Sequence, residues 1–165
     1  LSIQYLTKEY VDETIDVAIE VFSRSNTIVR ALELTSEEIR PYFSYLVEKA
    51  SKYPSVIALD GTTIVGFILC YDYTANDMDY TGELSPKMQI RKAFLSQCEE
   101  EALPALIREG IPRGHGNIIH GAIGGLRERY TRQQHLDIMF MRLYEGLLKA
   151  GYTHLYGIVT HPGTH

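Results

Sequence analysis

The sequence lacks the features that mark three classes of protein. It has only two cysteines, Cys70 in a strand-like run and Cys98 in a helix-like run, which predicts buried thiols in a reducing, cytoplasmic compartment. No apolar run approaches the roughly 18 residues that span a bilayer, so we expect no membrane partner. No Lys/Arg block stands out and the net charge is −5, so we expect no nucleic-acid partner.

Signatures of metal and nucleophilic chemistry are missing as well. The pairs His115/His120 and His161/His165 have no supporting cysteine or carboxylate cluster, so we predict no metal site. No local pattern places a serine or cysteine nucleophile beside a histidine base. What is present is an ordinary composition, 45% hydrophobic and 22% charged over 165 residues, which predicts one globular domain with a sizeable core.

The first half of the chain predicts two helices between strands. After a strand at 3–6, apolar residues recur at helical spacing from Val11 to Phe22, and a polar linker, SRSNT, follows. Thr35 and Glu38 have the spacing of a capping box and begin a second helical stripe that ends before Pro54. Asp60-Gly61 then lies between two β-rich runs, which indicates a hairpin.

The second half predicts an inserted helix and then a strand–helix–strand unit. Ser85-Pro86 is typical of a helix N-terminus, and the stripe Ile90, Phe94, Cys98, Ala102 and Leu106 follows, with Pro104 expected to bend or split the helix. A strand at 117–126, a helix at 133–150 and a strand at 153–159 come next. The last helix is apolar from Ile138 to Leu148, which predicts burial against the sheet and against a second element. This order favours a mixed sheet covered by helices.

This order resembles the GNAT superfamily of acyl-CoA-dependent N-acyltransferases. ALDGTTIVGFILCYDY (58–73) looks like its second and third strands, and AIGGLRERY (122–130) looks like its fourth strand and V-x-P-x-Y-type exit. The insert after the third strand is similar to that of the small-amine and arylalkylamine branch. The resemblance implies an α/β fold, with a central mixed β-sheet flanked by helices and a helical insertion between the third and fourth strands. We expect a single acetyltransferase domain over 1–165, with the C-terminal part of the domain beyond residue 165.

The resemblance also implies an activity. It predicts an enzyme that transfers an acetyl group from acetyl-CoA, the co-substrate, to a primary amine of a small molecule by direct attack. One alternative is a GNAT-fold binding module that has lost acyl-CoA binding, and another is acetylation of a protein or peptide terminus. An uncovered fifth strand would favour self-association, so a homodimer is a further expectation.

The family's pyrophosphate loop, Q/R-x-x-G-x-G/A, falls on residues 131–136 here, or on 132–137 in the neighbouring register. Neither register contains a glycine, the residue that lets phosphate approach the backbone closely. Arg129 and Arg132 are expected to compensate by pairing with phosphate, whereas the side chains of Gln134 and Leu136 would tilt or exclude the cofactor. The residues that the resemblance assigns to cofactor binding are Gly125, Leu126, Arg129, Arg132, Gln133, Gln134, His135 and Leu136.

His120 is the predicted catalytic base. It lies six residues before Leu126 on the fourth strand, so period 2 places both on one face, and an imidazole has an ordinary pKa suited to taking a proton from an ammonium group. The alternative is a half-buried structural histidine. Gly121, Gly124 and Gly125 predict a bulge or a close ligand approach, or else an irregular strand.

An acidic, tyrosine-bearing loop offers a second candidate site. Asp77, Asp79 and Glu83, with Tyr73 and Tyr80, have the charge and the rings to hold an organic cation. The alternative is an ordinary solvated loop.

Overall fold

One five-stranded sheet organises the chain. The computed structural model describes residues 1–74, 80–112, 114–131 and 134–158. The strands lie in the order β1-β2-β3-β4-β5, antiparallel except for the parallel pair β4 and β5. Their bounds are β1 Ser2–Tyr5, β2 Val56–Asp60, β3 Thr63–Asp72, β4 Ile118–Leu126 and β5 His154–Gly157. The predicted mixed sheet is confirmed.

Helices cover both faces of the sheet. The bounds are α1 Val11–Ser25, α2 Thr27–Ala31, α3 Ser36–Ala50, α4 Pro86–Arg108 and α5 His135–Lys149, with α4 inserted between β3 and β4. One core cluster joins α1 and α3 to the sheet through residues such as Phe22, Phe43 and Phe67. The other joins α5 to the opposite face through Met139 and Leu143. None of the described helices combines the length and apolarity that a membrane crossing needs.

Local sequence signals explain where most elements begin. The Thr35 hydroxyl accepts from the N–H of Glu38, whose carboxylate accepts from the N–H of Thr35, so the predicted capping box is confirmed. Ser85 caps α4 in the same way. Gly61 has φ 62° in the β2–β3 hairpin, a conformation that glycine adopts without strain. The predicted linker SRSNT is instead helical up to Ser25, and the Asn26 side chain caps the short helix α2.

Two predictions about helix faces are wrong. On α4, Ile90 and Phe94 of the predicted apolar stripe are exposed, while the buried residues are Met88 and Arg91, and the helix continues through Pro104 without splitting. On α5, only the sheet-facing side is buried. Its other side, which includes Leu148 at 74% exposure, is not covered by any described residue. In both helices apolar residues occupy more of the circumference than the neighbouring elements cover.

Candidate active site

The described pairing of β4 with β5 ends halfway along β4. Their pairing ends at Gly121 and Gly157, and no described β5 residue pairs with 122–126. Arg127 N–H donates to Val65 O over 2.8 Å, so strand alternation directs the backbone N–H and C=O groups of Leu126 and Gly124 towards the β5 side. Among the described residues, the edge of β4 beyond Gly121 therefore has no strand beside it, and an edge of this kind is a surface to which an extended ligand can add.

Gly125 contributes to this edge through its missing side chain. Its own backbone groups alternate towards β3, and a Cβ at this position would lie 2.6 Å from Val21 Cγ1 of α1. Glycine therefore lets α1 pack directly against β4.

A β-bulge in β4 lies directly after its last described pair with β5. Leu69 of β3 pairs with Ile123 and the next residue, Cys70, pairs with Gly121, so Ala122 is an extra residue on β4. The bulge predicted from the glycines is thus present. It also overturns the prediction that His120 and Leu126 share a face. Because one residue is inserted between them, His120 faces α3, whereas Leu126 packs in the α5 cluster.

His120 is a buried histidine held by a tyrosine. Its Nδ1 lies 2.5 Å from the Tyr71 hydroxyl, and its side chain is in ring contact with Tyr156 of β5, at 5.4 Å between centroids. Burial, and then the positive charge of Lys49, lower the pKa of His120 to about 4. The imidazole is therefore neutral at pH 7, and its ordinary pKa does not apply.

Aromatic rings extend from His120 in two directions. Towards β5, Tyr156 stands edge-on to Tyr73 with centroids 5.6 Å apart. Towards α3, Lys49 Nζ lies 4.5 Å from the centre of the Tyr71 ring. Further along the same helix a cluster forms from Tyr42, Tyr45 and Tyr80, with the buried Arg91 of α4 over Tyr42. His120 thus contacts aromatic rings from β3 and β5, and a second group of tyrosines lies against α3.

Glu99 is an acidic residue on α4. It is half-buried, and burial raises its pKa. Burial first, and then the charge of Glu99, raise the pKa of the Tyr156 hydroxyl to about 12. The Tyr156 hydroxyl is itself fully buried and makes no hydrogen bond to a described residue.

Comparison with solved structures identifies the fold. The C-terminal condensation domain of Ebony, in complex with beta-alanyl-dopamine, superposes with a TM-score of 0.78 at 18% identity over 98% of this chain and 76% of that one. Arylalkylamine N-acetyltransferase 2 from Aedes aegypti gives 0.74 at 14% identity, over 94% and 74%. This chain has the GNAT fold.

The predicted resemblance to the superfamily and its arylalkylamine-like branch is confirmed at the level of the fold. A more distant structure with the GNAT fold, an aminoglycoside acetyltransferase from an uncultured soil metagenomic sample in complex with sisomicin, has a TM-score of 0.54 at 11% identity, over 96% of this chain and 76% of that one. No protein-family model and no curated protein matches the sequence itself. At these identities the comparisons establish the fold, and the chemistry has to be argued from residues.

In the GNAT fold the turn between β4 and α5 is the predicted cofactor loop. Gln134 precedes α5 with φ 53°, a left-handed conformation that glycine favours. The register 131–136 puts Gln134 in the first glycine position of the family loop, so the backbone keeps a glycine-like turn without the glycine. Leu136 packs against the core cluster on the α5 side of the sheet, and its effect on cofactor binding stays a prediction. His135 begins α5, where unpaired N–H groups are available to an anion.

The arginines near this turn are only partly described. Arg129 ion-pairs with Asp60 at 3.6 Å and contacts the Tyr130 hydroxyl, so in this structure its charge is already partnered. Arg132 and Gln133 lie outside the described residues. Pairing of phosphate with Arg129 would therefore require the Asp60 contact to be shared or exchanged.

Asp72, at the end of β3, is hydrogen-bonded to the segments that precede β4 and β5. Its buried carboxylate accepts hydrogen bonds from Thr74, Gly116 N–H and the Tyr152 hydroxyl, and it pairs with exposed His115 at 3.2 Å. Burial alone would raise the pKa of Asp72, but these hydrogen bonds outweigh it and the pKa lies below its ordinary value. One side chain therefore connects the end of β3 with the approaches to β4 and β5.

Only part of the predicted acidic-loop site falls within the described residues. Asp77 and Asp79 lie outside the described residues. Glu83 and Tyr80 border an open groove of about 700 Å³ between 80–84 and the first half of α4, a set of residues that does not include Tyr73. In the part of the chain that the structure describes, no group of three or more His, Cys, Asp or Glu side chains is arranged to hold a metal ion.

Proposed function

We propose that this chain is an acetyl-CoA-dependent N-acetyltransferase that acts on a primary amine of a small molecule. The observation that carries the proposal is the edge of β4 beyond Gly121, which has no described strand beside it and leads from the turn before α5 to the bulge at Ala122. A donor and an acceptor can meet there. The arylalkylamine and aminoglycoside acetyltransferases with the same fold support the reaction class.

The acyl donor, acetyl-CoA, would bind along the turn before α5 and along the edge of β4. The pyrophosphate would be held at the turn before α5, by the N–H groups of its first turn together with Gln134, His135 and the arginines Arg129 and Arg132. The acyl-pantetheine arm would follow the β4 edge, where Gly124 and Leu126 offer N–H and C=O groups. The thioester carbonyl would then lie at the bulge, on the same strand as His120.

The reaction would proceed by direct attack. The ammonium group loses one proton to His120, directly or through water, and the neutral amine attacks the thioester carbonyl. The C–N bond forms, the C–S bond breaks, and the second amine proton goes to the departing thiolate. Because Nδ1 of His120 faces Tyr71, the ring nitrogen that accepts the proton would be Nε2.

Calorimetric titration with acetyl-CoA and CoA tests the donor half of the proposal. We expect micromolar binding, followed by CoA release with a subset of primary amines in a thiol-detection assay. A folded protein that binds neither ligand would favour the alternative, a GNAT-fold binding module that has lost acyl-CoA binding. Cytoplasmic location and a homodimer stay predictions.

The pH dependence of the rate tests His120. We expect His120→Ala to lower kcat/KM and to move the rising limb of the pH–rate profile to higher pH, because the amine must then lose its proton to solvent. Tyr71→Phe is the matched control, since it removes the hydrogen bond to Nδ1 and keeps the imidazole. An unchanged profile in His120→Ala would remove His120 from the mechanism.

A further inference from the structure

Arg91 of α4 is a buried arginine without an acidic partner. The residue is 6% exposed, its Nε is fully buried, and no described residue makes a hydrogen bond or an ion pair with its guanidinium group. A guanidinium group is always charged in a protein, and a buried charge without a partner is unfavourable. The position of Arg91 therefore calls for an anion that the described part of the chain does not supply.

The guanidinium group lies over a tyrosine of α3. Its Cζ atom is 5.4 Å from the centre of the Tyr42 ring. Glu38, one turn before Tyr42, is already engaged, because its carboxylate accepts the Thr35 N–H of the capping box at 2.9 Å. A ring face attracts a cation but leaves its N–H donors without acceptors. Nε is the guanidinium nitrogen that is fully buried, so the two Nη groups are the donors that a ligand can reach.

Arg91 lies at one end of a row of half-buried side chains along α3. Tyr42, Tyr45 and Lys49 follow one another at helical spacing. The ring of Tyr80 packs against both tyrosines of the row, with centroids 5.7 Å from Tyr42 and 5.4 Å from Tyr45. Lys49 Nζ lies 5.7 Å from the centre of the Tyr45 ring. The row therefore presents aromatic rings with a cation at each end.

The other end of this row reaches the proposed catalytic base. Lys49 Nζ lies 4.5 Å from the centre of the Tyr71 ring, and the Tyr71 hydroxyl is 2.5 Å from Nδ1 of His120. The span from Tyr42 to Lys49 along the axis of α3 is roughly 10 Å, at 1.5 Å per residue. A ligand that follows the row would thus have one end at Arg91 and the other near His120.

The charges on α4 around Arg91 also favour an anion. Residues 86–98 contain three basic side chains and no acidic one. The three are Lys87, Arg91 and Lys92, and the acidic residues of the helix follow at 99–101. The N-terminal half of a helix adds a partial positive charge of its own. A negatively charged group beside Arg91 is therefore stabilised, and a second cation there is not.

We propose that Arg91 binds a carboxylate of the acceptor, while Tyr42, Tyr45 and Tyr80 hold the aromatic or apolar body of the same molecule. The acceptor would then be a primary amine that carries a carboxylate at its far end. The inference rests on the proposed function for the identity of the ligand as acceptor. Arg91 binds and orients the acceptor, and the proton transfer stays with His120.

A binding experiment tests the anion site without acetyl transfer. The probe is 4-ethylbenzoate, compared by calorimetry on the full chain with the uncharged 4-ethylbenzamide. We expect the carboxylate to bind about tenfold more tightly than the amide, or better. Arg91→Met should weaken the carboxylate about 30-fold and leave the amide unchanged, because charge-assisted hydrogen bonds are lost. Arg91→Lys keeps the charge and should lose less affinity. Arg108→Met, which removes an exposed arginine further along α4, is the matched control and should behave as the wild type.

The stability of the ligand-free variants tests whether Arg91 has a partner within the chain. Asp77 and Asp79, which precede Tyr80, lie outside the described residues. We expect Arg91→Met to keep or raise the urea midpoint, because an uncompensated buried charge is replaced by an apolar side chain. A lower midpoint that Asp77→Asn or Asp79→Asn reproduces would overturn the inference. Equal binding of the two probes by the wild type, or an unchanged carboxylate affinity in Arg91→Met, would overturn it as well.

Kinetics distinguish failure of this inference from failure of the proposed function. With acetyl-CoA, the wild type should prefer 4-(2-aminoethyl)benzoate to 2-(4-methylphenyl)ethylamine about tenfold or more in kcat/KM, and Arg91→Met should remove the preference mainly through KM. A wild type that acetylates no amine yet binds 4-ethylbenzoate through Arg91 would refute the acetyltransferase and keep the anion site. An active enzyme that does not distinguish the two amines would refute the role of Arg91 in acceptor binding and keep the acetyltransferase.

Discussion

Replacement of Asp72 by Asn should strongly destabilise the protein. Both carboxylate oxygens accept from backbone donors, Oδ1 from Thr74 N–H at 2.9 Å and Oδ2 from Gly116 N–H at 2.7 Å. An asparagine side chain has only one oxygen, so in either orientation its NH₂ group would face a backbone N–H. The variant loses a charge-assisted hydrogen bond and leaves a buried donor without an acceptor, which together cost about 3 kcal/mol.

The acid dependence of stability gives a second measure of the same side chain. The pKa of Asp72 in the folded protein lies below its ordinary value of 3.8. The carboxylate therefore contributes stability that is fully present above the unfolded pKa and is lost as the pH falls through the folded value. We expect the free energy of unfolding of the wild type to fall below about pH 4 more steeply than that of Asp72→Asn.

Urea denaturation of both proteins between pH 3 and pH 7 measures these effects. Asp12→Asn, which removes an exposed carboxylate on α1, is the control and should lose less than 1 kcal/mol. A loss of less than about 1 kcal/mol in Asp72→Asn at pH 7 would refute the reasoning. So would parallel acid profiles for the variant and the wild type.

Three further predictions concern the cofactor turn, the strand edge and the thiols. Gln134→Gly should raise the free energy of unfolding by about 0.5–1 kcal/mol, since glycine adopts the left-handed backbone without strain; a decrease in urea midpoint would contradict this. Gly125→Ala should lower stability by about 2 kcal/mol, because the added methyl meets Val21 at 2.6 Å, and an unchanged melting temperature would show that α1 adapts freely. In native protein a thiol reagent should modify half-buried Cys98 and spare Cys70, whose pKa burial raises to about 12; labelling of both thiols without denaturant would count against the buried position of Cys70.

Most of the fold could be predicted because its signals are local. The capping box at Thr35, the Asp60-Gly61 hairpin and the Ser85 cap each depend on residues within four positions of one another. The spacing of apolar residues then indicates whether each element is a helix or a strand, and the order of the elements predicts a mixed sheet. The exception is the short helix α2. Its only sequence signal is the capping side chain Asn26, and an asparagine is equally typical of a linker.

The site was harder to predict because it depends on register and on distant contacts. Period 2 assigned His120 to the wrong face, since the extra residue at Ala122 is visible only when β4 is paired with β3. Arg91 was missed because the apolar stripe of α4 pointed to Ile90 and Phe94, which are exposed. The covered side of α4 cannot be read from α4 alone, because it is decided by residues of other elements, such as Tyr42, which lies under Arg91.

The way α4 is attached has a consequence for evolution and for engineering. Of its 23 residues only Met88 and Arg91 are buried, so almost every other position can change without disturbing either core cluster. Positions 95, 98, 99 and 102 are half-buried on its inner side. A library that randomises these four positions would change the inner surface of α4 and leave the residues of both core clusters untouched. If the chain has the proposed function, its acceptor specificity could therefore change through α4 with little loss of stability.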